Sequence, residues 1–469
     1  MRFHDENYLL KTELARDLYH TYCEDLPIID YHCHISPKEI AENRVFSNVS
    51  ELWLGGDHYK WRLMREHGVP ERYITGDATD REKFDKWLET VELAIGNPLS
   101  QWSRMELSMY FGYNGPLRAD LGDEIWEQCS AAIREQGFTA RSIIQYSGVE
   151  LLCTTDDPID TLEWHRKLKE AEDFPVTVLP AYRPDRLVKI ESEGFPDYIQ
   201  KLGKRYGIRI RSYHDLLHAV ASSIDYFDSM GCRTADHGID RIPHPETSGE
   251  SADGAFRKAL DGECLTNVEV EAYQMKILCD LAGFYHEHGW IMQIHYGARR
   301  NNNSRMYGKL GPDTGYDCIS SENCGAELPG FLDALDRAGT LPKMVLYSLD
   351  PNDDLYIDTV VNCFQRENAR GAIQHGAAWW FNDTLDGIRT MLRKKASNGM
   401  IADFVGMLTD SRSFISYSRH DYFRRVLCQA VSDWIEDGWP EDSREITGRI
   451  ISDISYYNVK RFFGFGGAS

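Results

Sequence analysis

The chain has 469 residues, 42% of them hydrophobic and 12% aromatic, with a formal net charge of −22. Such a composition supports a large buried core, and so great an excess of acid repels nucleic acid and anionic membrane surfaces. No run of about 18 apolar residues occurs, so no membrane-spanning helix is expected.

The first 20 residues, MRFHDENYLLKTELARDLYH, carry acids and no apolar stretch, and no secretory leader is expected from them. A helix over TELARDLYHTYCEDL is predicted next, ended by Pro27. Residues 28–34, IIDYHCH, then read as the first strand. Alternate side chains on a strand share a face, so His32 and His34 point the same way. Two imidazoles at that spacing converge on one metal ion, whereas a lone His is more often a satisfied core residue. From about 37 to 147 the chain shows helical periods and no convincing strand. Its clearest helices are ERYITGDATDREKFDKWLETVELAI and PLRADLGDEIWEQCSAAIREQG. This stretch is rich in Trp, Tyr and Met and is expected to pack over the mouth of the rest.

After residue 147 short apolar runs alternate with helical segments. The predicted strands are VELLCTTDDP (149–158), VTVLPAYRPDR (176–186), CRTADHG (232–238), WIMQIHYGARRNNN (290–303), PKMVLYSLDPND (342–353), ARGAIQHGAAWW (369–380) and FVGMLTDSRSF (404–414). Helices such as NVEVEAYQMKILCDLAGFYHEHG separate them. Alternation of strand and helix implies an α/β protein with a parallel sheet. Eight such units imply a closed (β/α)8 barrel of the TIM type, with a long helical insertion after the first strand. The expected organisation is 1–35 for the N-terminal helix and first strand, 36–147 for the insertion, and 148–469 for the remaining barrel and C-terminal helices. No G-x-G-x-x-G turn follows the first strand, which argues against a dinucleotide-binding sheet. The 11 Cys are scattered without a C-x-x-C pair and read as reduced thiols of a cytoplasmic protein.

In such a barrel the active site forms at the C-terminal ends of the strands. His32, His34, Arg183, Asp236, His295 and Asp410 all fall there. Asp410 ends the last predicted strand, next to the first, and two His with one carboxylate make an open metal site. The plainer alternative for Asp410 is a helix cap. Arg412, two residues on, suits bidentate contact with carboxylates or vicinal hydroxyls. Arg183 and the pair Arg299-Arg300 share the rim, and at least one of them is expected to bind an anionic ligand. His295 reads as a third metal ligand, a donor to substrate or a buried core His. Asp236 reads as a polar partner of His237 or a helix cap. His58-Tyr59, after Gly55-Gly56, could present an acid or proton shuttle, although periodicity alone makes Tyr59 a packing residue. Trp379 and Trp380 are read as core, with a carbohydrate platform as the alternative.

Taken in order, DYHCH, GGDHYKWRLMR, YRPD, ADHG, a strand-five His followed by GARRNNN, LDPND, HGAAWWFND and GMLTDSRSF resemble the uronate isomerase (glucuronate isomerase) family, a branch of the amidohydrolase superfamily. The resemblance runs over essentially the whole chain. It implies interconversion of D-glucuronate with D-fructuronate and of D-galacturonate with D-tagaturonate. By the same resemblance, His32, His34 and Asp410 hold one divalent metal ion, expected to be zinc. Asp410 is then the candidate base, Arg412 lies on the carbon-2 and carbon-3 hydroxyls, and Tyr59 lies near carbon 1. His58, Arg183, Asp236, His295, Arg299 and Trp380 would complete the pocket for a small hexuronate. A homo-oligomer is permitted. Many hydrolases of the superfamily carry a strand-four Lys and a strand-six His that serve a second metal. This chain has Asp236 and YSLD there instead, which favours an isomerase over a metal-dependent hydrolase. A non-enzymatic barrel with a structural metal is the third alternative, and an open two-His, one-Asp site argues against it.

Overall fold

The computed structural model describes residues 5–245, 251–322, 325–439 and 444–466. The alternation read from the chain becomes two parallel sheets. In the first, β1 (Ile28–Asp30), β2 (Val149–Cys153) and β3 (Thr177–Leu179) lie side by side. In the second, β4 (Thr234–Gly238) and β5 (Ile291–Tyr296) pair in parallel. That sheet also holds two later strands, introduced below.

The predicted strand at 290–303 divides. β5 stops at Tyr296, and Gly297, at φ 82°, turns the chain. A two-residue strand β6 (Ala298–Arg299) then pairs antiparallel with β7 (Cys318–Ile319). β8 (Lys343–Ser348) and β9 (Ile373–His375) complete the second sheet, in the order β4-β5-β8-β9. Every residue of β5 is buried. That pattern belongs to parallel strands covered on both faces, and it explains why these segments read as continuous apolar runs. Helices such as Asn267–His288 and Glu327–Ala338 supply the outer cover through Leu281, Tyr285, Phe331 and Leu332.

Tyr182 joins the two sheets. It bridges in parallel to Asp156 on one side and to Ala235 on the other. Its N–H donates to the Thr234 carbonyl, and its own carbonyl accepts from Asp236 N–H.

The predicted strand at 404–414 is not a regular strand. Two side chains replace its ladder bonds. The Asp30 carboxylate accepts from Thr409 N–H and hydroxyl at 2.9 and 2.6 Å, and Gln374 Oε1 accepts from Val405 N–H at 3.1 Å. Left-handed backbone at Gly406 (φ 78°) and Asp410 (φ 47°) also breaks the β conformation. Gly406 is required, because a Cβ there would collide with the Ile454 carbonyl. The segment nevertheless lies against the end of β1. Asp410 N–H donates to the His32 carbonyl at 3.1 Å, and His34 N–H donates to the Ser411 carbonyl at 2.9 Å.

Between β1 and β2 the chain is helical, with Val49–Leu54, His58–Glu66, Asp80–Val91, Pro98–Phe111, Gly122–Gln136 and Ala140–Tyr146 as its longer helices. Its buried Trp53 stacks on Phe84 at 6.0 Å, and Trp87 is fully buried. The Asp57 carboxylate caps the helix His58–Glu66 by accepting from Tyr59 and Lys60 N–H. That cap fixes where His58 and Tyr59 enter the rest of the molecule.

Candidate active site

The residues just past β1 bring two imidazoles onto one carboxylate. His32 Nε2 and His34 Nε2 lie 3.1 and 3.0 Å from the same oxygen, Asp410 Oδ1. The two rings are nearly perpendicular, with centroids 5.1 Å apart. His32 is sealed in the core, whereas His34 and Asp410 reach the surface of a cavity at 21% and 14% side-chain exposure. Their ligand atoms lie close enough together to hold a metal ion.

The electrostatics fit a cation. Burial alone would raise the Asp410 carboxyl, but hydrogen bonds from His32 and His34 hold it well below the usual carboxylate range. Burial lowers His34 to about 4, which leaves a neutral imidazole with a lone pair to give. His32 moves the other way. Burial opposes its charge, but the carboxylates of Asp236 and Asp410 flank the ring and raise it. A place that favours a proton between two carboxylates also favours a metal cation.

A second acid–imidazole group shares His32. His295 Nδ1 lies 2.7 Å from Asp236 Oδ1, and His32 Nδ1 lies 3.8 Å from Asp236 Oδ2. These atoms too could hold an ion, but the place already has a cation. Arg183 Nη1 sits 3.0 Å from Asp236 Oδ2, and Arg183 Nε donates to Asp185 at 2.9 Å. Burial raises the Asp236 carboxyl, and Arg183, then His32 and His295, overcome that and hold it well below its usual range. The His295 ring stacks flat on Tyr347 at 4.2 Å. Gly376 permits this, since a Cβ there would strike the Tyr347 ring.

A cavity of about 430 Å³ opens over the first group. His32, His34, His58, Arg183, His295, Trp380, Asp410 and Arg412 line it, as expected from the chain. Arg183, Lys189, Arg300 and Arg412 give it a cationic wall, although the chain as a whole carries −22. Arg412 lies 3.3 Å from Asp313 across the mouth.

Three of the expected residues do not line this cavity. Arg299 is exposed and does not line the cavity. Alternation along β6 buries Ala298 and turns Arg299 outward, and Arg300 takes the inner place, with its guanidinium 4.9 Å from the Trp380 ring centroid and 3.0 Å from Asp317. Asp236 is fully buried and does not line the cavity, standing behind Arg183, His32 and His295, which do. Tyr59 lies off the main cavity, in a small void shared with Asp410, Arg412 and Arg419. Burial, then the Asp410 carboxylate, push its hydroxyl well above the ordinary phenol value, so it keeps its proton. Its ring stacks on His58 at 4.9 Å.

Trp379, read from the chain as core, bonds directly to the group. Its indole N–H donates to Asp410 Oδ2 at 2.8 Å. The Gly-Ala-Ala after His375 hinted at a loop rather than a helix, but nothing local names an indole's partner 31 residues away.

A family model described as glucuronate isomerase matches residues 1–463. The uronate isomerase of Endomicrobium trichonymphae is 50% identical over 465 residues, covering 99% of each chain. That of Lachnospira eligens is 47% identical over 465 residues with the same coverage. The crystal structure of uronate isomerase from Thermotoga maritima superposes with a TM-score of 0.92 at 34% identity, over 99% of this chain and 100% of that one. That of glucuronate isomerase from Caulobacter crescentus gives 0.88 at 25% identity, over 99% and 98%.

Proposed function

The chain belongs to the glucuronate isomerase family, and from that premise we propose how its residues carry out the reaction. Its activity is that of a uronate isomerase. In our reading the substrates are D-glucuronate and D-galacturonate, and the products are D-fructuronate and D-tagaturonate.

Aldose–ketose isomerisation moves one proton from carbon 2 to carbon 1 through a cis-enediol, with no net oxidation. It needs a base, a stabiliser for the enediolate and a donor to the carbonyl oxygen. His32, His34 and Asp410 would hold one divalent ion, zinc in this reading, whose Lewis acidity and templating serve the sugar acid's carboxylate. Asp410 is the base, kept ionised by its imidazole neighbours. Arg412 moves from Asp313 to the substrate hydroxyls and faces the developing negative charge. Tyr59 keeps its hydroxyl proton for the carbon-1 oxygen. His58, His295, Arg183, Arg300 and Trp380 shape the pocket, and Asp236 orients His295. The convergence of His32 and His34 on Asp410 Oδ1 at 3.1 and 3.0 Å, at a cavity wall, carries this reading.

A binuclear hydrolase finds no support at the second group, where the Arg183 guanidinium stands 3.0 Å from Asp236. We also read the two sheets as arcs of one (β/α)8 barrel, with 404–411 in the place of the eighth strand. The segment 36–147 is then a helical insertion over its mouth, between 1–35 and 148–469. The chain, with its scattered cysteines, is read as cytoplasmic, and among the described residues no helix is long and apolar enough to cross a membrane.

The test is ketose formation from D-glucuronate by the purified chain, with bound metal counted in the same sample. The reading expects turnover and one ion per chain. Two tightly held ions and no ketose would overturn it.

A further inference from the structure

The two oxygens of Asp410 have different neighbours. Oδ1 faces His32 and His34. Oδ2 accepts the Trp379 indole N–H at 2.8 Å. The indole has little freedom. It is buried at 6% exposure, and its ring lies edge-on to His295 at 4.8 Å and beside Trp380 at 5.9 Å. Left-handed backbone flanks the bond at both ends, with Trp380 at φ 52° and Asp410 at φ 47°. Side chains rarely adopt that conformation, and it persists where the surroundings over-determine it.

A carboxylate turns easily about its terminal torsion, which has a broad, two-fold profile. Two imidazoles on Oδ1 alone would leave Oδ2 free to trade places with it. We propose that Trp379 is a positioning residue for the isomerase: its N–H locks the rotation of the Asp410 carboxylate and so separates the tasks of the two oxygens. Oδ1 stays with His32 and His34 for the cation. Oδ2 is held by the indole, and its second acceptor position stays free to take the sugar proton. The inference rests on the assignment of Asp410 above. It makes Trp379 more than packing, because a packing residue would not need its nitrogen.

The test compares Trp379→Phe, Trp379→His and a chain carrying 3-benzothienylalanine at 379 with the parent and Asp410→Asn. The benzothienyl side chain keeps the bicyclic shape and loses only the N–H. Each is assayed for kcat and KM on D-glucuronate and for zinc retained on dialysis against graded chelator. Loss of the N–H is expected to lower kcat about 10- to 100-fold and zinc retention about 10-fold, with KM within about 3-fold. Trp379→His, which offers a ring N–H again, is expected to recover part of kcat. If Trp379→Phe does not fold, the benzothienyl chain decides. A benzothienyl chain with parental kcat and zinc retention overturns the proposal, while an inactive Asp410→Asn beside it leaves the assignment of Asp410 standing. An Asp410→Asn chain with parental kcat removes that assignment itself.

Discussion

His32 belongs to two groups that look alike on paper. On one side it meets Asp410 and His34, and on the other Asp236 and His295. Each group has a carboxylate held well below its usual range by cationic or hydrogen-bonding neighbours. They differ in what fills them and in what they face. In the Asp236 group the carboxylate itself is sealed and already paired with the Arg183 guanidinium, and only the two imidazoles touch the cavity. The Asp410 group reaches a cavity, sits on a left-handed backbone and has no Arg or Lys paired to its carboxylate among the described residues. Ligand types alone therefore do not define a metal centre. A carboxylate without a paired guanidinium, beside open space, is what sets the Asp410 group apart, while Asp236 stays with Arg183 and His295.

Matched substitutions at the two carboxylates sharpen that contrast most. Asp410→Asn is expected to lose at least about 10² in turnover, the range of a well-placed acid or base, with its melting temperature close to the parent's. Ketose formation and thermal unfolding on one sample check both halves. For Asp236→Asn the balance reverses. Removing one member of a buried ion pair strands Arg183 and costs about 3 kcal/mol of stability, read as a lower denaturation midpoint. Equal melting temperatures for the two variants would erase the distinction between the groups. Next in size is Arg412→Lys, which keeps the charge and loses the guanidinium fork, for an expected loss of about 10-fold in kcat/KM. Smallest is the pair at β6. Arg300→Ala should raise KM several-fold, while Arg299→Ala should change kcat/KM less than about 2-fold, because only Arg300 lines the cavity.

Much of this was legible in the chain. The pairing of His32 with His34 on one side was legible from their spacing, although the regular strand stops at Asp30 and both sit just past it, and the apolar runs of β2, β5 and β8 marked strands covered on both faces. The segment at 404–414 misled because apolar content marks where a strand would lie, not what holds it. Asp30 and Gln374 bond to it in place of a ladder, and both come from other elements. The choice between Arg299 and Arg300 hangs on pairing with Cys318–Ile319, about twenty residues on, which no local pattern encodes. Trp379 was read as core because an indole is usually packing, and the carboxylate it serves is distant in the chain.

A crystal structure of the zinc-loaded chain with a bound hexuronate, its ions located by anomalous scattering, tests the contrast most directly. The account predicts one ion, ligated by His32 Nε2, His34 Nε2 and Asp410 Oδ1, in contact with the sugar acid's carboxylate. An ion seated instead between Asp236 and His295, or a sugar bound away from His34 and Asp410, would contradict it.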